Sequence, residues 1–246
     1  MKIYIDPRCD IRYASFYIKG LYDNFGKSCI TFSAKYTKQV SFNQFNSIVD
    51  RTLLITILDN DKITRIVIDS RDPRSILTDA YNWCDYYFKS NYKYNEQPEL
   101  EKVILIPPSF AINIWNPTTT LLKGFYHAFL SYRTKNYGNK RILFDTFKSY
   151  IYQITRRKTL KAYDKRDSKK SSNYIFIACS LWNYKECIEH TNTLRFNFMK
   201  ICKTNPHIDF DGGFIMNKLS ANIPIGWEQY CKTKRISPAE YIRDVL

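Results

Sequence analysis

Glycine, histidine and long apolar runs are what this chain has least of. Its seven glycines include no GxGxxG, so the sequence carries no complete phosphate-cradling loop. The three histidines (His127, His190, His207) sit in no HExxH or other metal-ligand spacing, which leaves metalloprotease and histidine-cluster chemistry without a foundation. The seven cysteines are odd in number and form no CxxC pair, a pattern of reduced thiols rather than a disulfide framework or zinc site. No stretch approaches the roughly 18 apolar residues of a membrane-spanning helix. Lys2 and Asp6 follow Met1 with no apolar leader region behind them, so the expectation is a soluble, unprocessed, cytoplasmic protein.

What is present is a foldable chain. Of 246 residues, 44% are hydrophobic, 16% aromatic and only 25% charged, enough apolar material for one large domain or two small ones. Lys+Arg number 38 against 23 Asp+Glu, a formal net charge of +15. That balance suits polyanionic partners: nucleic acid, an anionic membrane face or phosphorylated small molecules. The abundance of Lys, Asn, Ile and Tyr is also what AT-rich coding yields, so charge alone selects none of them.

The opening reads as strand, loop, helix, strand. Lys2–Asp6 is a short strand, Tyr13–Phe25 carries apolar residues at helical spacing with Gly26 at the C-cap, and Ser28–Ser33 is a second strand, together a βαβ unit. Thr52–Leu58 and Ile63–Ile68 are β-branched runs joined by Asp59-Asn60-Asp61-Lys62, a hairpin. Ser75–Ser90 has helical spacing, Lys102–Ile106 is a strand stopped by Pro107-Pro108, and Thr118–Arg133 and Arg141–Leu160 read as helices. The polar, basic segment 161–172 reads as a linker. Beyond it the alternation restarts: Tyr174–Cys179 a strand, Thr191–Lys203 a helix, Ile208–Phe210 a strand followed by Asp211-Gly212-Gly213. Ser237-Pro238-Ala239-Glu240 opens a last helix with an N-cap, a first-turn proline and a capping-box glutamate. The predicted division is therefore 1–160, a basic linker 161–172, and 173–246.

Ligands of open α/β sheets bind where strands end and helix N-termini begin. Three loops of the first part qualify. Asp6-Pro7-Arg8-Cys9-Asp10-Ile11-Arg12-Tyr13 offers acids, arginines and a tyrosine; a solvated loop with an Asp10–Arg12 surface pair is the plainer reading. Asp69-Ser70-Arg71-Asp72-Pro73-Arg74 repeats that chemistry. Pro107-Pro108-Ser109-Phe110, with Asn113 and Trp115 after it, reads as packing. In the second part, Trp182 follows a strand, Arg195 lies on the next helix, and Gly212-Gly213 either admits a backbone close to a ligand or is an ordinary turn. Asp59-Asn60-Asp61 matches the DxD by which some sugar transferases hold a metal, but between two adjacent strands it reads as a turn. Glu186 and Glu189 beside His190 have no nucleophile partner at a recognisable spacing. A positively charged cluster from Arg156 to Lys170 is either a solvated helix end with its linker or an attractor of anionic lipid.

The blocks "KIYIDPRCDIRYASFYIKGLYDNFGKSCITFS", "IVIDSRDPRSI…AYNWCDYYFKSNY", "IPPSFAINIW" and "NYIFIACSLW…NTLRFNFMKICKTNPHIDFDGGF" resemble bacterial glycosyltransferases of the GT-B type found in capsule and O-antigen assembly. The resemblance implies two Rossmann-like α/β lobes facing a cleft, an acceptor-side lobe over 1–160 and a nucleotide-sugar lobe over 173–246. The latter is shorter than a complete nucleotide-binding half, so the second lobe is expected to be incomplete, with a companion chain supplying the remainder. It further implies transfer from a nucleotide-sugar to a saccharide or lipid-linked acceptor with no metal and no other cofactor. The basic linker would touch the anionic inner face of the membrane. On this reading Asp6, Arg8, Arg12, Tyr13, Arg71 and Asp72 bind substrate, Trp182, Arg195, Gly212 and Gly213 lie on the donor side, and the base is Asp10 or else His127. Two other classes stay open: a basic nucleic-acid-binding protein or nuclease, whose D-x-K spacing occurs only at Asp167-Ser168-Lys169 in the linker, and an inactive binding module.

Overall fold

The computed structural model describes residues 1–40, 51–92, 100–134, 140–163, 173–183, 190–216 and 223–232. The chain divides after Leu160 into two compact units. Most of the linker, Glu186, Glu189 and the helix expected from Ser237 lie outside the described residues.

The first unit is mixed α/β. Its strands are β1 (Lys2–Ile5), β2 (Ile30–Phe32), β3 (Thr52–Asp59), β4 (Lys62–Asp69), β5 (Tyr86–Lys89) and β6 (Val103–Leu105), and its helices α1 (Ile11–Phe25), α2 (Thr78–Trp83), α3 (Pro117–Thr134) and α4 (Lys140–Arg156). The sheet order is β2-β1-β3-β4-β5-β6. β1 pairs with β2, β4 with β5 and β5 with β6 in parallel, while β3 runs antiparallel to both β1 and β4. Period-2 alternation assigns the two faces. Leu53, Ile55 and Ile68 join Ile3, Ile5 and Phe32 under α1 and Tyr150 of α4, whereas Leu54, Val67, Tyr87 and Val103 pack against Ala80 and Trp83 of α2.

The hairpin closes through the two residues Asn60 and Asp61, with Asn60 at φ 51°. Asparagine tolerates that left-handed conformation, and this is the turn chemistry the sequence offers there. The helix predicted over Ser75–Ser90 is shorter: α2 ends at Trp83, Cys84 turns extended, and Tyr86–Lys89 becomes β5 beside β4. Aromatic side chains suit a pleated surface, and Tyr87 and Lys89 are both fully buried on one face, a period of two that overrides the apparent helical one. β4–α2–β5 is thus a second βαβ unit, matching β1–α1–β2.

In the second unit, β7 (Tyr174–Ser180), β8 (Asp209–Ile215) and β9 (Cys231–Lys232) form a parallel sheet in that order, with α5 (Asn192–Thr204) between the first two strands. Leu181, Met199, Phe214 and Tyr230 form its core, and Trp227 stacks on Phe196 at 4.2 Å. Gly212 and Gly213 do not follow the strand as a turn; they lie inside β8, at φ +122° and +150°. A Cβ on Gly212 would fall 1.9 Å from the Ile177 carbonyl oxygen, and one on Gly213 2.4 Å from that of Tyr230. Here the missing side chains let neighbouring strands approach.

These glycines generate a paired expectation. Gly212→Ala combines backbone strain with a carbonyl clash and should cost about 3 kcal/mol or more. Gly20, inside α1 with open space at its Cβ position, should stabilise by about 0.5–1 kcal/mol on substitution by Ala. Urea titration of both variants checks this; equal midpoints would show that the strand contact carries no constraint.

Candidate functional site

The two βαβ units run in opposite directions across the sheet. From β1 the chain crosses outward to β2 by α1, and from β4 outward the other way to β5 by α2, which is why α1 and α2 cover opposite faces. The loops leaving β1 and β4 therefore diverge, and the sheet edge between them is a topological switch point, where open α/β sheets take their ligands. β3, running the other way, begins at this same edge.

Each loop is fixed by its own carboxylate. Asp6, immediately after β1, accepts from the Arg8 backbone N–H at 2.8 Å, from Nε at 2.9 Å and from Nη2 at 2.6 Å, and Thr37 Oγ1 donates to it as well. Arg8 also donates to the carbonyls of Thr37 at 2.7 Å and Val40 at 3.1 Å, so a buried guanidinium staples the segment after β2 to the end of β1. Asp10 is buried as the N-cap of α1, accepting the Arg12 N–H at 3.0 Å and Nε at 2.9 Å. The Asp10 hydrogen bond raises the pKa of Arg12 despite burial. Arg12 is 37% exposed and lies over the Tyr152 ring.

The second loop repeats this arrangement at the end of β4. Asp69 accepts from the Arg71 N–H at 3.0 Å, Nε at 2.9 Å and Nη2 at 2.7 Å. Tyr87 Oη donates to Asp69 at 2.6 Å while accepting from the Leu77 N–H at 3.1 Å, and Lys89 Nζ sits 3.3 Å from the carboxylate and donates to the Arg71 carbonyl at 2.9 Å. Burial works against the charge of Arg71, but the Asp69 hydrogen bond and charge outweigh it and hold its pKa above the ordinary value. Burial lowers the pKa of Lys89. Asp72, by contrast, is 90% exposed and paired with Arg51 at 3.0 Å.

Arg51 joins the two loops. Its guanidinium lies 4.9 Å from the Tyr13 ring centre and against Asp72, and its carbonyl accepts from the Ser70 N–H. Sequence reasoning passed over it. The hairpin alone would have found it: with Thr52 opposite Asp69, residue 51 must lie beside the loop leaving β4. Arg12, Tyr13, Arg51 and Asp72 are thus brought together at the switch point, with Asp6, Arg8, Asp10, Asp69 and Arg71 buried beneath them as the framework.

His127 lies elsewhere, on the buried side of α3. Its Nδ1 shares a hydrogen bond with Tyr150 Oη, and its ring stacks on Phe32 at 3.8 Å. Burial, with help from Lys123, pushes its pKa down to about 3. In the second unit, Trp182 and Arg195 are each tied to the end of β7: Asn192 Nδ2 donates to the Trp182 carbonyl at 2.8 Å, and Arg195 Nη1 to that of Ser180 at 3.3 Å. Among the described residues no group of three or more His, Cys, Asp or Glu could hold a metal ion. No helix among them is long and apolar enough to cross a membrane. No family model, curated protein or solved structure matches the chain.

The neutral imidazole makes stability depend on pH. An unfolded histidine binds its proton near pH 6.5, and the folded one resists until about 3, so unfolding takes up a proton in between. The contribution is complete above pH 6.5 and declines as pH falls towards 3, by about 2 kcal/mol between pH 7 and pH 5. Urea titrations across that range should show the decline in the native protein and a flatter profile in His127→Gln. Parallel profiles would remove His127 as the cause.

Proposed function

We propose that the chain is a glycosyltransferase of the GT-B type, moving a sugar from a nucleotide-sugar to a saccharide or lipid-linked acceptor in surface-polysaccharide assembly. The first unit would be the acceptor lobe and the second the nucleotide-sugar lobe. The observation that carries the reading is the switch point with its exposed chemistry: two guanidinium groups, an aromatic ring and an open carboxylate on a rigid floor. Arginine forks match phosphate oxygens in geometry and charge, which suits a phosphate-bearing acceptor. A tyrosine face packs against a sugar ring.

The choice of base follows from access. Asp10 is committed to capping α1 and to Arg12, and His127 is buried against Tyr150. Asp72 is the open carboxylate of the group, and the reading assigns it the acceptor hydroxyl's proton. As that proton leaves, the hydroxyl oxygen bonds to the sugar's anomeric carbon, and the bond from that carbon to the nucleoside diphosphate breaks. Arg12 and Arg51 hold the acceptor's negative charge, while Arg71, buried against Asp69, shapes the second loop.

The test is transfer of labelled sugar from a panel of nucleotide-sugars to lipid-linked acceptors by the full chain. Asp72→Asn should lower kcat about 10²-fold or more, the share a general base contributes. Arg51→Ala should chiefly raise KM. Absence of transfer from every donor, together with duplex retention that weakens steeply with salt, would replace this reading with nucleic-acid binding.

A further inference from the structure

Helix α3 wears its apolar side outward. The residues α3 buries are Thr120, Gly124, His127, Ala128 and Ser131, small or polar, while Leu122, Phe125, Tyr126 and Phe129 are 65%, 58%, 55% and 52% exposed. Those four fall at i, i+3, i+4 and i+7, a single stripe along the helix. On α4, Phe144 is 64% exposed, and Phe147 one turn later stacks on Phe125 at 4.2 Å, so the two helices share the apolar surface.

Cations surround it. Residues 117–134 and 140–158 hold eight basic side chains and one acid, Asp145. Arg133 lies over the Phe129 ring and Lys148 over that of Phe144. Lys140 and Arg141 start α4, Arg156 ends it, and Arg157 and Lys158 follow, all exposed. A second copy of the chain would bring this positive surface against itself. Nucleic acid would meet the aliphatic Leu121 and Leu122 at the stripe's start, which offer no hydrogen bond and no ring to a base. An apolar stripe with basic flanks fits a negatively charged lipid interface, where acyl chains accept the stripe and headgroups the cations.

We infer that the outer face of α3 and α4 is a docking surface for an anionic lipid bilayer, on which α3 lies in the interfacial plane. This goes beyond glycosyl transfer and is read by partition rather than turnover, so each can fail without the other.

The experiment is co-sedimentation of the full chain with vesicles of phosphatidylcholine alone and of phosphatidylcholine with 30 mol% phosphatidylglycerol (about a third, chosen to give a negative surface potential), over a salt series. The native chain should partition at least about tenfold better onto the anionic vesicles, and less so as salt rises. Leu122→Ser/Phe129→Ser should lose about tenfold or more, and Lys140→Glu/Lys148→Glu a similar factor, since each cation near the surface is worth about fivefold. Leu194→Ser, an equally exposed leucine on α5, should change nothing. If the double serine variant melts early, Leu122→Ser alone gives the same reading from a surface position. Equal binding to both vesicle types, or serine variants that partition like the native chain, overturns the inference. So does a lipid-free dimer, or duplex DNA retention, that the same serine substitutions abolish.

Discussion

An aspartate at the end of a strand, closed upon by the arginine two residues further on, is the interaction on which the first unit depends. It occurs after β1 as Asp6–Arg8 and after β4 as Asp69–Arg71, with Asp10–Arg12 repeating it at the start of α1. In each case the carboxylate takes the backbone N–H and the guanidinium of the same residue, so a single acid fixes both the turn of the chain and the side chain that leaves it. Such pairs are costly to bury and more costly to break: removing one partner leaves an uncompensated charge, typically a loss of 3–5 kcal/mol. Arg8 also donates to Thr37 and Val40, so the segment after β2 depends on the same carboxylate.

The hairpin of α3 and α4 follows from that arrangement. A loop held beneath other structure has carbonyls that need donors. Ser131 donates to the Pro7 carbonyl at 2.6 Å and Gln153 to that of Ile11 at 2.9 Å. These donors must come from the inner faces of the two helices, which therefore carry serine, threonine and glutamine where a core-facing helix would carry leucine. Gly124 lets α4 approach so closely that a Cβ there would fall 2.9 Å from Tyr150 Cβ. With the inner face of α3 committed to small and polar residues, its large apolar side chains are left outside, while α4 buries Ile142 and Tyr150 beside its own Thr146, Ser149 and Gln153.

Much of this fold was legible in the chain itself. β1, α1, the β3–β4 hairpin, α3, α4, β7 and α5 stand close to where periodicity and turn residues put them. Two places were not. Tyr86–Lys89 satisfied a helical period within a longer window, and only its pairing with β4 reveals a strand. Gly212-Gly213 carries the composition of a turn, but the strands on either side require glycine for their spacing, a tertiary demand that local propensity does not express. Of the site, the acids and arginines after β1 and β4 were visible as types in sequence; their division into buried framework and exposed chemistry was not, because Asp69 and Asp72 differ only in which of them a strand end draws inward. Thr118–Arg133 showed a helical period, but periodicity does not say which side of a helix faces in.

The antiparallel strand at the centre gives the edge its width. Were β1 and β4 adjacent, their carboxyl ends would lie about 5 Å apart and the two loops would crowd one another. β3 separates them to about 10 Å and, because it runs the other way, brings its first residues rather than its last to the same edge. That is how Arg51 comes to stand between Tyr13 and Asp72. Arg8 and Arg71 are turned inward to their own carboxylates and Arg12 leans towards Tyr152, so the cation standing between the two loops is Arg51. An inserted strand of opposite direction thus does two things at once: it sets the loops leaving β1 and β4 two strand spacings apart, and it places the Arg51 guanidinium between them, against Tyr13 and Asp72.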